Sequence, residues 1–168
     1  MLETPEPTVT RRIVINIPAM KLELIENEAP VRTYAIAVGK RSTPTPTGAF
    51  RIASRVKDPT WYSPEAVVKA GPKNPVGSRW MGLDKKGYGI HGTNAPGSIG
   101  SAASKGCIRM HNHDAEDLFT RVQVGDEVTI VYETLGADGS LWDDVYQREK
   151  AEKAEARSQE PEARRKPA

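Results

Sequence analysis

The chain has 168 residues, 24 basic and 22 acidic side chains and a formal net charge of +2, so one domain with a buried core is expected. The part predicted to fold contains no basic stripe of the kind that binds nucleic acid. The chain also contains no run of about 18 or more apolar residues, which is the length needed to cross a bilayer. The single cysteine, Cys107, excludes an internal disulfide and any site that needs a CxxC pair.

The chain is predicted to consist of one folded domain with tails. Residues 1–11 are rich in proline, threonine and glutamate and are predicted to be a flexible lead-in. The folded domain is assigned to 12–133. Residues 134–146 include Leu141 and Trp142 and are expected to pack on that domain as an extension. Residues 147–168 contain no apolar residue besides alanine and proline, which predicts a charged, flexible tail.

Alternation of apolar and polar residues predicts strands through most of the domain. The predicted strands are Arg12–Ile17, Lys21–Glu26, Val31–Val38, Ala49–Val56, Arg79–Leu83, Tyr88–Ile90 and Glu127–Tyr132. The first two are expected to form a hairpin across a Pro-Ala turn. The fold class predicted from this pattern is mainly β.

Two helices are predicted among these strands. The main one begins near Asn112, which is a plausible N-cap, with Asp114 and Glu116 in its first turn. Its apolar face would carry Leu118, Phe119 and Val122. A second, short helix is predicted at Pro64–Ala70, inside a stretch that prolines otherwise mark as loop.

The most informative segment is HGTNAPGSIGSAASKGCIRMH, which runs from His91 to His111. A thiol becomes a nucleophile when a base and a cationic or hydrogen-bonding environment favour the thiolate. Here His91 could supply the base, and Lys105 and Arg109 lie two residues to either side of Cys107. A lone cysteine is more often a small buried apolar residue, but a core cysteine does not need this polar, glycine-rich surrounding.

The turn before the cysteine is a candidate oxyanion hole. Successive backbone N–H groups of Ser104, Lys105 and Gly106 could point at one place and stabilise a developing negative charge. Arg109 could instead hold a substrate carboxylate through a bidentate contact.

A metal site is the main chemical alternative that the residues leave open. Cys107, His91, His111 and His113 are sulfur and nitrogen ligands of the type that zinc prefers. Their spacing matches no zinc pattern, and no metal or other cofactor is expected.

The stretch YGIHGTNAPGSIGSAASKGCIRMHNHDAEDLF resembles the signature of the L,D-transpeptidase catalytic domain, the YkuD-like family. That signature is a histidine, a gap of about fifteen residues, and then Ser-His-Gly-Cys or a close variant. STPTPTGAF, GPKNPVGSRWMGL and DDVY extend the likeness, so that it covers roughly Arg12 to Tyr146. The resemblance implies a β-sandwich-like fold with a short helix.

The resemblance also implies roles for individual residues. Cys107 would be the nucleophile, His91 the general base and acid, and the Gly92 carbonyl the partner that orients the histidine ring. Backbone N–H groups of Gly106 and Cys107 would form the oxyanion hole, and Arg109 matches the arginine of the GCIR variant. Many relatives have histidine where this chain has Lys105, so His91 would carry all proton transfer.

The implied reaction is acyl transfer on peptidoglycan stem peptides. A thioester forms on the cysteine, the terminal D-alanine leaves, and an amine of a second stem or water resolves the thioester. Hydrolysis alone, as in an L,D-carboxypeptidase, and a non-catalytic wall-binding module are the alternatives. The protein is expected to be a monomer that acts outside the cytoplasmic membrane, although residues 1–11 do not resemble an export signal.

Overall fold

The computed structural model describes residues 9–133. The predicted extension at 134–146, the predicted tail at 147–168 and residues 1–8 of the predicted lead-in lie outside the described residues. The strands are β1 Arg11–Asn16, β2 Lys21–Glu26, β3 Ala29–Gly39, β4 Gly48–Lys57, β5 Trp61–Tyr62, β6 Val67–Val68, β7 Arg79–Leu83, β8 Gly89–His91, β9 Ala102–Ser104, β10 Ile108–Met110 and β11 Glu127–Val131. Between residues 9 and 133 there is one α-helix, α1, at Asn112–Arg121, and one 3₁₀ turn at Pro96–Ser98.

Nine of the strands form one sheet that closes on itself. Its order is β10-β8-β7-β4-β11-β1-β2-β3-β9, and β10 also pairs with β3, which joins the two sides of the sheet. Most neighbours are antiparallel, but three pairs are parallel: β1 with β11, β8 with β10 and β3 with β9. The predicted mainly β domain with one main helix is therefore confirmed.

The core follows from the alternation of side chains along each strand. The inward positions of β1 and β2 carry branched aliphatic residues that are completely buried, and α1 covers part of the same cluster. The fully buried large side chains include Ile13, Ile15, Leu22, Leu24, Ile36, Met81, Ile90, Ile108, Met110 and Leu118. Strand β1 begins at Arg11, so the last residue of the predicted lead-in belongs to the sheet.

The short helix predicted at Pro64–Ala70 is wrong, because this segment forms part of a small hairpin of β5 and β6. The backbone N–H of Ser63 donates to the Ala66 carbonyl at 2.9 Å and closes a tight turn. The side-chain amide of Asn74 donates to the Pro59 and Val68 carbonyls at 2.7 and 3.2 Å. Two adjacent β-branched valines also favour the extended backbone.

The start of α1 also differs from the prediction. His111 occupies the N-cap position without a side-chain capping bond, and Asn112 is the first helical residue. The Asn112 side chain faces backward, away from its own helix, and binds the backbone of Thr93. Glu116 lies beyond the first turn and accepts a hydrogen bond from the Ser78 hydroxyl at 2.9 Å.

Besides β5 and β6, two other short strands were not predicted. Strands β9 and β10 lie within the glycine- and serine-rich segment, on either side of the turn that carries Cys107. No helix within residues 9–133 is long and apolar enough to span a membrane.

Candidate active site

The parallel pairing of β8 with β10 sets the segments that carry His91 and Cys107 side by side. Ile108 pairs with Ile90, and Arg109 pairs with His91. Because paired residues point to the same side of a sheet and side chains alternate, the two isoleucines face the core. His91 and Arg109 therefore share the opposite face, and Cys107 directly precedes Ile108 in the chain. The charge of Arg109 acts on both His91 and Cys107. Parallel strands need a long crossover, and residues 92–107 supply it.

Trp80 forms a wall of this face. It pairs with His91 across the β7–β8 ladder, and the two rings stack with centroids 5.6 Å apart at an interplanar angle of 20°. A side chain at Gly89 would lie 2.6 Å from the indole, and one at Gly82 would lie 2.9 Å from its Nε1 atom. Both glycines are thus needed for the indole to lie flat beside the imidazole.

His91 is held as a neutral imidazole with a defined tautomer. It is 5% exposed, and its Nδ1 atom lies 2.5 Å from the Gly92 carbonyl oxygen. A carbonyl only accepts hydrogen bonds, so Nδ1 carries the proton and Nε2 keeps its lone pair. Burial lowers the pKa of His91 to about 4, against an opposing effect of the Gly92 hydrogen bond, and the Arg109 charge lowers it further.

The environment of Cys107 favours the protonated thiol. Its Sγ atom donates a hydrogen bond to the Gly87 carbonyl at 3.4 Å. Burial raises the pKa of the thiol above its ordinary value, and a hydrogen bond with the Gly89 backbone and the positive charge of Arg109 oppose that rise. The residue nevertheless retains partial exposure, so a substrate can reach the sulfur. The site therefore requires a base to remove the thiol proton.

The turn that carries Cys107 is tied to itself by Ser104. The Ser104 hydroxyl accepts from the Gly106 N–H at 3.0 Å and donates to the Cys107 carbonyl at 2.6 Å. Gly106 has a φ of +129°, which side chains rarely adopt. Ser104 thus shapes the turn through short-range bonds, and Gly106 permits its backbone conformation.

The loop between β3 and β4 holds the same turn from outside. The Thr45 hydroxyl, on a residue 1% exposed, accepts from the Gly39 N–H at 2.8 Å and donates to the Gly106 carbonyl at 2.9 Å. The Thr43 hydroxyl donates to the Ser104 carbonyl at 3.0 Å. Thr43 and Thr45 of the STPTPTG loop therefore hold the turn that carries the nucleophile.

Replacing Thr45 with valine is expected to lower the free energy of unfolding by about 2 kcal/mol or more. The substitution keeps the shape but leaves the Gly39 N–H and the Gly106 carbonyl buried without partners. Urea denaturation measures the change. Thr47→Val is the matched control, because Thr47 is exposed in the same loop. Equal stability of the two variants would show that Thr45 does not hold the turn.

The two backbone N–H groups predicted to form the oxyanion hole, those of Gly106 and Cys107, differ in the structure. The Gly106 N–H is occupied by the Ser104 hydroxyl, so the prediction that it forms part of an oxyanion hole is not compatible with this geometry. The Cys107 N–H remains a candidate donor. Lys105 is exposed, which places it at the rim of the site.

Arg109 lies on the reactive face. Its charge lowers the pKa of both His91 and Cys107, and one of its terminal nitrogens lies 3.3 Å from the Ser98 hydroxyl. Among the described residues no carboxylate forms an ion pair with it. A cation without an acidic partner at this position suits a substrate carboxylate.

The four side chains considered for a zinc site do not converge. His111 and His113 stack on each other with centroids 5.4 Å apart, and His113 approaches Asp114 at 3.3 Å. Within residues 9–133, no three histidine, cysteine, aspartate or glutamate side chains are arranged to hold a metal ion.

Sequence reasoning did not assign Trp80, Thr45 or Asn112 to the site. Trp80 and Thr45 lie in segments that carry the family resemblance, so that likeness was the available signal. Asn112 was interpreted as a helix cap from its position before the helix. Its contact with Thr93 could not be predicted, because the two residues are distant along the chain.

Comparisons with known proteins show the family of this chain. Residues 10–130 match the family model described as the L,D-transpeptidase catalytic domain, YkuD. The YkuD protein of Bacillus subtilis, whose name assigns it to the L,D-transpeptidases, is 46% identical over 127 residues, covering 75% of this chain and 70% of its own length. The ErfK/SrfK protein of Escherichia coli, named for the same activity, is 33% identical over 171 residues, covering 90% of this chain and 55% of its own.

A solved structure shows the same fold. L,D-transpeptidase 3 of Mycobacterium tuberculosis, in complex with a faropenem-derived adduct, superposes with a TM-score of 0.59 at 20% identity. The match covers 73% of this chain and 60% of that one. The chain belongs to the YkuD family of L,D-transpeptidase catalytic domains.

Proposed function

We propose that this domain is a cysteine-dependent L,D-transpeptidase that acts on peptidoglycan stem peptides. The observation that carries the proposal is the shared face of β8 and β10. The proposal is supported by a partly exposed thiol directly before β10 and by a neutral histidine at the end of β8 whose Nε2 lone pair is free of the Gly92 contact. Since the stems lie in the cell wall, the domain would act outside the cytoplasmic membrane.

In the first half-reaction His91 Nε2 takes the thiol proton while Cys107 Sγ attacks the carbonyl carbon of the third residue of a donor stem. The C–N bond to the terminal D-alanine then breaks, and its nitrogen receives the proton from His91. The product is a thioester on Cys107.

In the second half-reaction a side-chain amine of an acceptor stem attacks the thioester. His91 accepts a proton from that amine and returns it to sulfur as the C–S bond breaks. The Cys107 N–H would stabilise the oxyanion in both halves, Arg109 would bind a carboxylate of the stem, and Lys105 would contribute positive charge at the rim.

The experiment is incubation of the protein with disaccharide tetrapeptide stems, followed by mass spectrometry. Release of D-alanine with formation of a cross-linked dimer, or exchange when a free D-amino acid is added, supports transpeptidation. Release with tripeptide alone would identify an L,D-carboxypeptidase. Sedimentation with cell-wall sacculi without any release would identify a binding module.

Faropenem provides a second assay that needs no acceptor. A stable mass increase on the intact protein, mapped by peptide digestion to Cys107, is expected because a β-lactam carbonyl would acylate the same thiolate. An unmodified protein, or an adduct on another residue, would argue against Cys107 as the acyl-accepting group.

A further inference from the structure

The side chain of Asn112 binds the segment that follows His91. Its Oδ1 atom accepts from the Thr93 N–H at 3.0 Å and from the Ser78 N–H at 3.3 Å. Its Nδ2 atom donates to the Thr93 carbonyl at 3.0 Å. The opposite amide orientation would place NH₂ against two N–H donors, so the assignment of oxygen and nitrogen is fixed by the partners.

Two glycines leave room for this amide. A Cβ atom at Gly77 or at Gly92 would lie 2.1 Å from Asn112 Oδ1, which is a severe overlap. Gly77 also has a φ of +65°. Glycine at position 92, directly after the histidine, therefore leaves the space that the Asn112 side chain occupies.

We propose that Asn112 is a positioning residue for His91 and acts through a single peptide plane. The Gly92 carbonyl and the Thr93 N–H belong to the same peptide bond, which is planar and trans, so they point in opposite directions. Asn112 binds the N–H on one side, and His91 Nδ1 binds the carbonyl on the other. Fixing the first contact fixes the second, which selects the tautomer with Nε2 unprotonated.

A role in core packing does not explain these contacts. Asn112 is exposed overall, so truncation of its side chain removes little buried surface. Its helix is anchored elsewhere by buried Leu118 and by the Tyr34 hydroxyl, which donates to Asp117 at 2.7 Å. The polar contacts of Asn112 are directed at the backbone beside His91 instead.

The first test is the tautomer of His91, read from ¹⁵N chemical shifts of its ring at neutral pH, where the residue is neutral. The wild-type protein is expected to show one tautomer, protonated at Nδ1. Asn112→Ala is expected to show a mixture of tautomers, whereas Asn112→Asp, which keeps an oxygen for the two N–H donors, is expected to keep the single tautomer.

Tyr34→Phe is the matched control, because it removes another anchor of α1 without touching the Gly92–Thr93 peptide. It should leave the tautomer unchanged. A single Nδ1–H tautomer in Asn112→Ala would overturn the proposal, and so would loss of the tautomer in Tyr34→Phe to the same degree.

The second test is kinetic and rests on the proposed function. Asn112→Ala is expected to lower kcat about tenfold with little change in KM, since the residue is argued to act on the base and not on substrate binding. Gly92→Ala should be strongly impaired alone and add little in the Asn112→Ala background, where the overlapping amide is gone. Additive effects would contradict the coupling. If the wild-type protein released no D-alanine, the proposed function would fail while the tautomer measurement would still decide the role of Asn112.

Discussion

Cys107→Ala is expected to abolish D-alanine release, with turnover reduced by at least about 10⁴-fold. The thiol is the single sulfur nucleophile of the chain, and alanine at this position can neither attack a carbonyl nor carry an acyl group. Because Ser104, Thr45 and Gly106 hold the turn through bonds that do not involve the sulfur, the variant should retain the fold. Release of D-alanine from stem peptides, followed by mass spectrometry, measures the effect.

The matched control is Ser101→Ala, an exposed hydroxyl in the same crossover. It should leave turnover within about twofold of the wild-type value, since surface substitutions of this kind have small effects. A Cys107→Ala protein that still formed the faropenem adduct would rule out the assigned nucleophile. Equal losses in both variants would indicate that the segment tolerates no change, whatever its chemistry.

His91→Gln is expected to lower kcat/KM by about 10² to 10⁴-fold, the contribution typical of a general base. Glutamine keeps a polar side chain of similar length but cannot accept the thiol proton at neutral pH. Without the base, the raised pKa of Cys107 leaves the thiol protonated. The rate for His91→Gln should therefore rise continuously with pH through the alkaline range as the thiolate forms.

The pH profile of the wild-type enzyme gives an independent check. The pKa of His91 is about 4, so the imidazole stays neutral as the pH falls through the usual histidine range. The value of kcat/KM should therefore stay constant through that range and decrease only near pH 4, where His91 becomes protonated. A thiolate–imidazolium pair would instead require a protonated histidine. An inflection near pH 6.5 would contradict a buried neutral base.

Strands with several alternating residues were predictable. In β1, buried Ile13 and Ile15 alternate with the less buried Arg12, Val14 and Asn16, and buried Leu22 and Leu24 alternate in the same way in β2. The hairpin between the two strands was therefore predicted correctly. Strands β5 and β6 have two residues each, which is shorter than a periodic signal needs. Their hairpin depends on Asn74, whose contacts with Pro59 and Val68 leave no local pattern in the sequence.

For the site, the sequence allowed a prediction of which residue types would react, but not of the hydrogen bonds that position them. A cysteine and a histidine in one glycine-rich segment, together with the family resemblance, predicted Cys107 and His91 as the catalytic pair, and the pairing of β8 with β10 puts His91 beside Arg109, two residues after Cys107. The hydrogen bonds around them were not predictable. Asparagine before an apolar helical face is typical of an N-cap, and only the approach of Thr93 shows why Asn112 faces the other way.

The parallel pairing of β1 with β11 has a mechanical consequence. Residues 12–16 and 127–131 run side by side in the same direction, so tension applied through residues 9 and 133 would pull the two strands past each other lengthwise. The ladder hydrogen bonds, which are roughly perpendicular to that force, would share the load instead of opening one at a time. A domain attached at both of these points is thus built to resist stretching, and under tension the site on β8 and β10 would keep its geometry until the β1–β11 ladder broke.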